Sequence, residues 1–293
     1  MTRTVEVHTS PTESRGVGDG DRSQETGVGS QTLAESLDAV EDTCGRTASD
    51  GYTFFIYMKH YYEIVLNIPH AAIEGIEGSG WPDTEAFRQE VKKWTDWYTE
   101  EMFECDVFEE HPRVRKVVFP LSRFVVDVER LENDPLEAKG QGIIYQSFGE
   151  HQRILPDEAE RERLMELYDQ HIRQLKSHLS PQNLLIDCHS FPSSLSDIDV
   201  CIGFNEDWSK PPQEVIDLVA DTFRNASYKV GINMPYSNAI SPVCDFTYHA
   251  LMIELNKRIY MNEENLEMLM PTAGLLHAHI LSLYFKLMGK EVL

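Results

Sequence analysis

The polar groups best placed for chemistry in this chain sit where apolar runs end. Asn183-Leu184-Leu185-Ile186 runs into Asp187-Cys188-His189-Ser190-Phe191. Glu63-Ile64-Val65-Leu66-Asn67-Ile68 runs into Pro69-His70, and His249-Ala250-Leu251-Met252-Ile253 runs into Glu254-Leu255-Asn256. A leucine-rich, β-branched run that stops at an acid or a histidine reads as a buried strand presenting polar groups at its C-terminal edge. That edge is where open α/β sheets keep their ligand crevices. Two strand-end histidines and a strand-end glutamate are the parts of a zinc hydrolase centre. Such a centre takes three protein ligands from His, Asp and Glu and keeps the fourth position for water. The ion lowers the pKa of that water to about 7, and a neighbouring carboxylate takes its proton.

His70 and His189 are the expected histidine ligands, each following a strand where a loop can turn inward. Asp187 precedes His189 by two residues, so on a strand it points to the same side and serves as a supporting hydrogen-bond partner. The residues alone leave the third ligand open between Glu74, close after His70, and Asp96, in Trp94-Thr95-Asp96-Trp97-Tyr98. An acid flanked by tryptophans implies burial and hence a partner; the competing reading of Asp96 is a helix N-cap. Glu254, at the end of an apolar strand, is the candidate general base, with a structural ion pair to Arg258 as the alternative. In Leu121–Arg130, an extended strand would put Arg123, Val125, Asp127 and Glu129 on one face. Arg123 and Arg130 near a metal suit a carboxylate-bearing substrate, because guanidinium binds carboxylate in a bidentate fork. Asp127 would hold one arginine in place; the alternative is a salt-bridged strand surface.

The elements that must position these groups follow from periodicity. Thr53–Met58, Glu63–Ile68, Lys116–Phe119, Arg123–Val128, Gly142–Gln146, Asn183–Cys188, Asp199–Gly203, Tyr228–Ile232 and Ala250–Leu255 read as strands. Glu85–Glu104 reads as helical with a restart near Thr95-Asp96, Pro156–His178 as a long amphipathic helix, Pro212–Arg224 as a helix, and Glu263 to Leu287 as a closing helix. Strands alternating with helices predict a single α/β domain on a mixed, mostly parallel sheet flanked by helices. Residues 1–48 lack an apolar face and are expected to form a disordered acidic, polar tail, with one short helix near Thr32–Val40. Residues 49–293 are expected to form the catalytic domain.

Composition narrows the partners. The 293 residues are 41% hydrophobic and carry a formal net charge of −23. That balance argues against nucleic acid and anionic membrane surfaces, which need basic patches. It also means that an anionic substrate must be captured by local arginines. Five scattered cysteines without a C-x-x-C pair argue against a disulfide framework and fit a reducing cytoplasm. No N-terminal apolar segment marks a signal peptide.

Taken in order, several segments resemble the N-formylglutamate amidohydrolase family, itself related in fold to the zinc carboxypeptidases. They are Asn67-Ile68-Pro69-His70-Ala71, Thr95–Phe103, Ser122-Arg123 through Asp127 and Arg130, Gly140-Gln141-Gly142, Asp187-Cys188-His189-Ser190, Asn233-Met234-Pro235-Tyr236 and Ala250–Asn256. They span roughly Phe54 to Leu287. The resemblance implies a zinc carboxypeptidase-like, phosphorylase/hydrolase-like fold and one Zn2+ held by His70, Asp96 and His189. It implies Glu254 and Arg123 as catalytic residues, and Arg123, Arg130, Asp127, Ser190 and Tyr236 as substrate contacts. The expected reaction is hydrolysis of a small anionic N-acyl amino acid, such as N-formyl-L-glutamate giving formate and L-glutamate. The alternatives are a carboxypeptidase-like or other N-acyl-amino-acid amidase and, from another class, a metal-free binding protein of the same fold. Glu129 stands where the family usually has asparagine before the arginine, and Asn238-Ala239 replaces a glycine pair, so both departures fall at expected substrate contacts.

Overall fold

The computed structural model describes residues 7–10, 53–56, 62–106, 113–131 and 134–289. Most of the expected tail, including the helix near Thr32–Val40, lies outside the described residues. Within the first 59 residues, β1 (Val7–Ser10) pairs antiparallel with β2 (Thr53–Ile56).

From residue 60 the chain forms a second unit built on a six-stranded sheet. Its strands are β3 (Glu63–Ile68), β4 (Val114–Val118), β7 (Asn183–Phe191), β8 (Val200–Gly203), β9 (Val230–Ile232) and β10 (His249–Asn256), in the order β4-β3-β7-β10-β8-β9. β4, β3, β7 and β10 run parallel, while β8 and β9 run the other way. Two-stranded ribbons β5 (Ser147–Phe148) with β6 (His151–Gln152) and β11 (Met261–Asn262) with β12 (Glu267–Met268) lie outside it. The helices are α1 (Glu85–Trp94), α2 (Thr99–Met102), α3 (Glu158–His178), α4 (Gln213–Asn225) and α5 (Met270–Leu287).

The central strands are covered on both faces, which is why they read as continuous apolar runs. Ile64, Leu66, Ile68, Leu184, Ile186, Leu251 and Ile253 pack with Val219 and Phe223 of α4 and Ile280 and Leu283 of α5. Val65, Leu185, Ala250 and Met252 face the opposite way, against Leu175 and Leu179 at the end of α3. Each of these buried side chains other than Ala250 contributes about 1.5–3 kcal/mol. The two-residue period then continues the second face through Asn67, through Asp187 and His189, and through Glu254. Polar groups therefore emerge on the α3 side, at the C-terminal ends of three adjacent parallel strands.

Several sequence expectations shift. β7 runs through His189 to Phe191, because β10 pairs with it residue for residue, Glu254 opposite His189 and Asn256 opposite Phe191. His189 is thus inside a strand, not in the loop after it. Arg123–Val128 is a series of turns, with Val125 N donating to Ser122 O and Arg130 N to Asp127 O. Val125, Val126 and Val128 are all buried, which strand alternation forbids on a one-sided strand. Gly142–Gln146 is irregular, and the closing helix starts at Met270 because β11 and β12 occupy residues expected to be helical.

Candidate active site

His70 follows β3 across Pro69, and its carbonyl accepts a hydrogen bond from Asp96 N at 3.0 Å. That bond ties the α1–α2 turn to the end of β3. α1 is capped by Thr84, whose hydroxyl accepts from Phe87 N, and it ends where Thr95 turns extended. Asp96 does not cap α2: its carbonyl accepts from Thr99, while its carboxylate turns inward to His189. Asp96 Oδ2 lies 3.1 Å from His189 Nδ1 and 3.8 Å from His70 Nδ1. Ligand atoms of His70, Asp96 and His189 all lie within 4.8 Å of one another. Glu74 is exposed and accepts from Ile73 N, so it is not part of this group.

The far nitrogen of each histidine faces a buried carboxylate. His70 Nε2 donates to Asp127 Oδ1 at 2.8 Å. His189 Nε2 lies 3.1 Å from Asp187 Oδ1, without hydrogen-bond alignment. Asp187 in turn accepts from Asn67 Nδ2 at 2.8 Å and from Ile240 N at 3.0 Å, and Asn67 Oδ1 accepts from His171 Nε2 at 2.8 Å. His70 Nδ1, facing Asp96, is buried with no hydrogen-bond partner. Two imidazole nitrogens and a carboxylate oxygen converging on one point, each ring backed by an acid, fit a divalent ion such as zinc. Two other acidic groupings, His70 with Asp127 and Glu129 and His189 with Asp187 and Glu129, are sterically close enough to hold a cation. In both, the aspartate is also held by groups outside the set, Asp127 by Arg123 and Tyr145 and Asp187 by Asn67 and Ile240, whereas the Asp96 carboxylate bonds to His189 within its own set, so the Asp96 set fits best.

Asp127 is the hub of the arginine cluster. Arg123 Nη2 donates to Asp127 Oδ2 at 3.2 Å, Tyr145 Oη donates to the same oxygen at 2.5 Å, and Arg130 Nη2 approaches it at 3.6 Å. Burial raises the Asp127 pKa, but Arg130, His70 and Arg123 outweigh it and hold the carboxyl well below the usual range. Burial also opposes a charge on His189, yet Asp187 and Glu129 hold its proton well above the ordinary histidine range. Glu254 behaves oppositely. Burial, reinforced by Asp96 and Glu129 against the pull of His189, pushes its carboxyl up to about 8. One of its oxygens, Oε2, is buried with no hydrogen-bond partner. Arg258, the alternative partner, binds Asp199 at 2.7 Å instead.

These groups line a cavity of about 610 Å³, into which Asp96, Arg123, Arg130, His189, Ser190, Tyr236 and Glu254 all face. Every expected site residue except His70 and Asp127 lies on its wall; those two stand behind it, joined to Asp96 and Arg123. Tyr145 has no motif to mark it. Asn67 and His171 carried a faint signal, a polar residue inside an apolar strand and a histidine on the buried stripe of α3 with Leu164, Tyr168 and Leu175.

A family model described as N-formylglutamate amidohydrolase matches residues 62–261. The chain belongs to the N-formylglutamate amidohydrolase family. Among solved structures it is similar to an N-formylglutamate amidohydrolase from Ralstonia eutropha JMP134, with a TM-score of 0.64 at 17% identity, covering 79% of this chain and 94% of that one. It is also similar to a gene product from Agrobacterium tumefaciens, with a TM-score of 0.52 at 16% identity, covering 77% of this chain and 91% of that one. No curated protein matches the sequence. The likeness to these structures establishes the mixed, mostly parallel sheet flanked by helices. Among the described residues, no helix is long and apolar enough to cross a membrane.

Proposed function

We propose that the chain hydrolyses the amide bond of a small N-acyl amino acid, N-formyl amino acids foremost, with a divalent ion, zinc, held by His70, Asp96 and His189. The observation that carries this reading is the pair of inward Nδ1 atoms with Asp96 between them, beside a buried Glu254 oxygen that has no other partner. Zinc bound there would polarise the acyl carbonyl and acidify water. Asp127 orients the His70 imidazole and fixes its tautomer, and Asp187 stands 3.1 Å behind the His189 ring. Glu254 takes the water proton and delivers it to the leaving amine. Its raised pKa of about 8 matches a group that must exchange protons near neutrality. Arg123, held by Asp127 and Tyr145, faces the cavity and stabilises the oxyanion, and Arg130 binds the substrate carboxylate. Ser190 and Tyr236 shape the wall around the acyl group. Free thiols at Cys188, Cys201 and Cys244 support a reducing, cytoplasmic setting.

The test is acyl release from N-formyl and N-acetyl amino acids by purified protein whose metal content is measured. The expected result is about one zinc per chain, with activity lost on chelation and restored by zinc. Zinc-loaded protein that releases acid from none of them would refute the proposal, and protein that never binds a divalent ion would favour a binding role. Glu129 and Asn238 on the cavity wall favour a second reading, an amidase for a different N-acylated acid or a carboxypeptidase-like enzyme.

A further inference from the structure

Glu129 belongs to neither the ligand set nor the proton path, yet it stands at the centre of both. Its Oε2 accepts from Arg130 Nη1 at 3.2 Å and lies 3.8 Å from Arg123 Nη2. Its two carboxylate oxygens lie 3.7 Å from His189 Nε2 and 3.8 Å from His70 Nε2. Glu129 N donates to Asp127 Oδ1 at 3.1 Å, which fixes the turn that presents the side chain. That side chain retains 18% exposure and lines the cavity, whereas Asp127 beside it is fully buried.

The consequence is a matter of charge. The two guanidinium groups that face the cavity are matched by two carboxylates, Asp127 and Glu129, so the cluster presents no surplus positive charge. It still offers a donor: Arg130 Nε is buried with no acceptor. One substrate carboxylate or carbonyl can meet that N–H. A second carboxylate would face Glu129 itself and Glu90, which share the cavity wall. The remaining wall cation, Lys93, lies on the same helix as Glu90 and sits 5.3 Å over the Trp94 ring. Much of the rest of the wall is apolar or aromatic, with Trp94, Leu136, Tyr145, Phe148 and Tyr236 along it. An acidic side chain there would be desolvated beside like charge, while a neutral one gains by burial.

Resting on the amidase reading above, we propose that Glu129 makes the cavity selective for N-acyl amino acids with a neutral side chain over those with an acidic one. An unpaired or like-charged contact is the usual device for rejecting a near-identical ligand.

The test compares N-formylglutamate, N-formylglutamine and N-formylphenylalanine on the zinc-loaded full chain. Specificity is read as kcat/KM where formate is released and as Kd by calorimetry where it is not. The glutamine and phenylalanine derivatives should exceed the glutamate derivative by about tenfold or more, the scale of a repulsive contact in a closed site. E129Q should shrink that ratio by raising the glutamate derivative, and E129N gives the same reading should E129Q fail to fold. N-formylglutamate as the best wild-type ligand, an unchanged ratio in a zinc-binding variant, or no binding of any of the three overturns the proposal. Binding in the expected order without formate release upholds the selectivity and refutes the hydrolase reading alone.

Discussion

At the scale of single residues, the chemistry depends on which polar groups are already occupied. Asp127 has hydrogen bonds from His70, Arg123, Tyr145 and the Glu129 backbone, and Asp187 has them from Asn67 and Ile240. Glu254 keeps a free oxygen in the same surroundings, and Arg258 is committed to Asp199. Glu254→Gln keeps the shape of the side chain and removes the proton acceptor. Zinc should stay bound while turnover falls by about a hundredfold or more, the usual loss of a general base. Metal analysis and single-turnover acyl release on the same sample check this. Near-normal release would sink the assignment, and lost zinc would make Glu254 a ligand. Much of the candidate site is legible in the sequence: the ends of the apolar runs mark His70, His189 and Glu254, and the flanking tryptophans mark Asp96. Glu129 is marked there only as a departure from the family pattern; its place between the histidines comes from the Asp127–Arg130 turn, which alternation misreads as a strand.

At the scale of elements, the site is a junction. β3 supplies Asn67 and leads to His70, β7 supplies Asp187 and His189, and β10 supplies Glu254, all set by parallel register with Asn67 opposite Asp187 and His189 opposite Glu254. α3 locks this junction from its own face through His171, whose Nε2 donates to Asn67. Burial pushes the His171 imidazole down to about 4. An unfolded histidine titrates near 6.5, so between about 4 and 6.5 the unfolded chain binds the extra proton. The contribution of neutral His171 is therefore complete above pH 6.5 and is lost as pH falls toward 4. His171→Gln should flatten the acid limb of a stability–pH curve over that window, by at most about 1.4 kcal/mol per pH unit for one group. Chemical denaturation of both proteins at several pH values measures it, and identical slopes would contradict it. The core strands were legible because both faces are buried. The turns from Arg123 to Arg130 and the ribbon before α5 were not, since tertiary hydrogen bonds rather than local periodicity define them.

At the scale of the whole molecule, a chain of net charge −23 concentrates two of its arginines beside several acids in one cavity. The proposed metal centre joins residues far apart in sequence, His70, Asp96 and His189, so its donors are brought together only in the folded chain. An ion that binds the folded chain and not the unfolded one stabilises by RT ln(1 + [L]/Kd), about 2.7 kcal/mol at a hundredfold excess over Kd. For a domain of this size each kcal/mol moves Tm by about 2–4 °C, so zinc at that excess should raise Tm by about 5–10 °C. His70→Ala and His189→Ala each remove a donor and should lose most of that shift. Arg130→Ala touches the substrate end of the cavity and should keep it. Thermal scans of the chelated protein with and without added zinc measure all four, and zinc shifts in the histidine variants equal to the wild-type shift would place the ion elsewhere. The readout needs no substrate, so it tests the junction of three strand ends and a helix turn independently of any turnover.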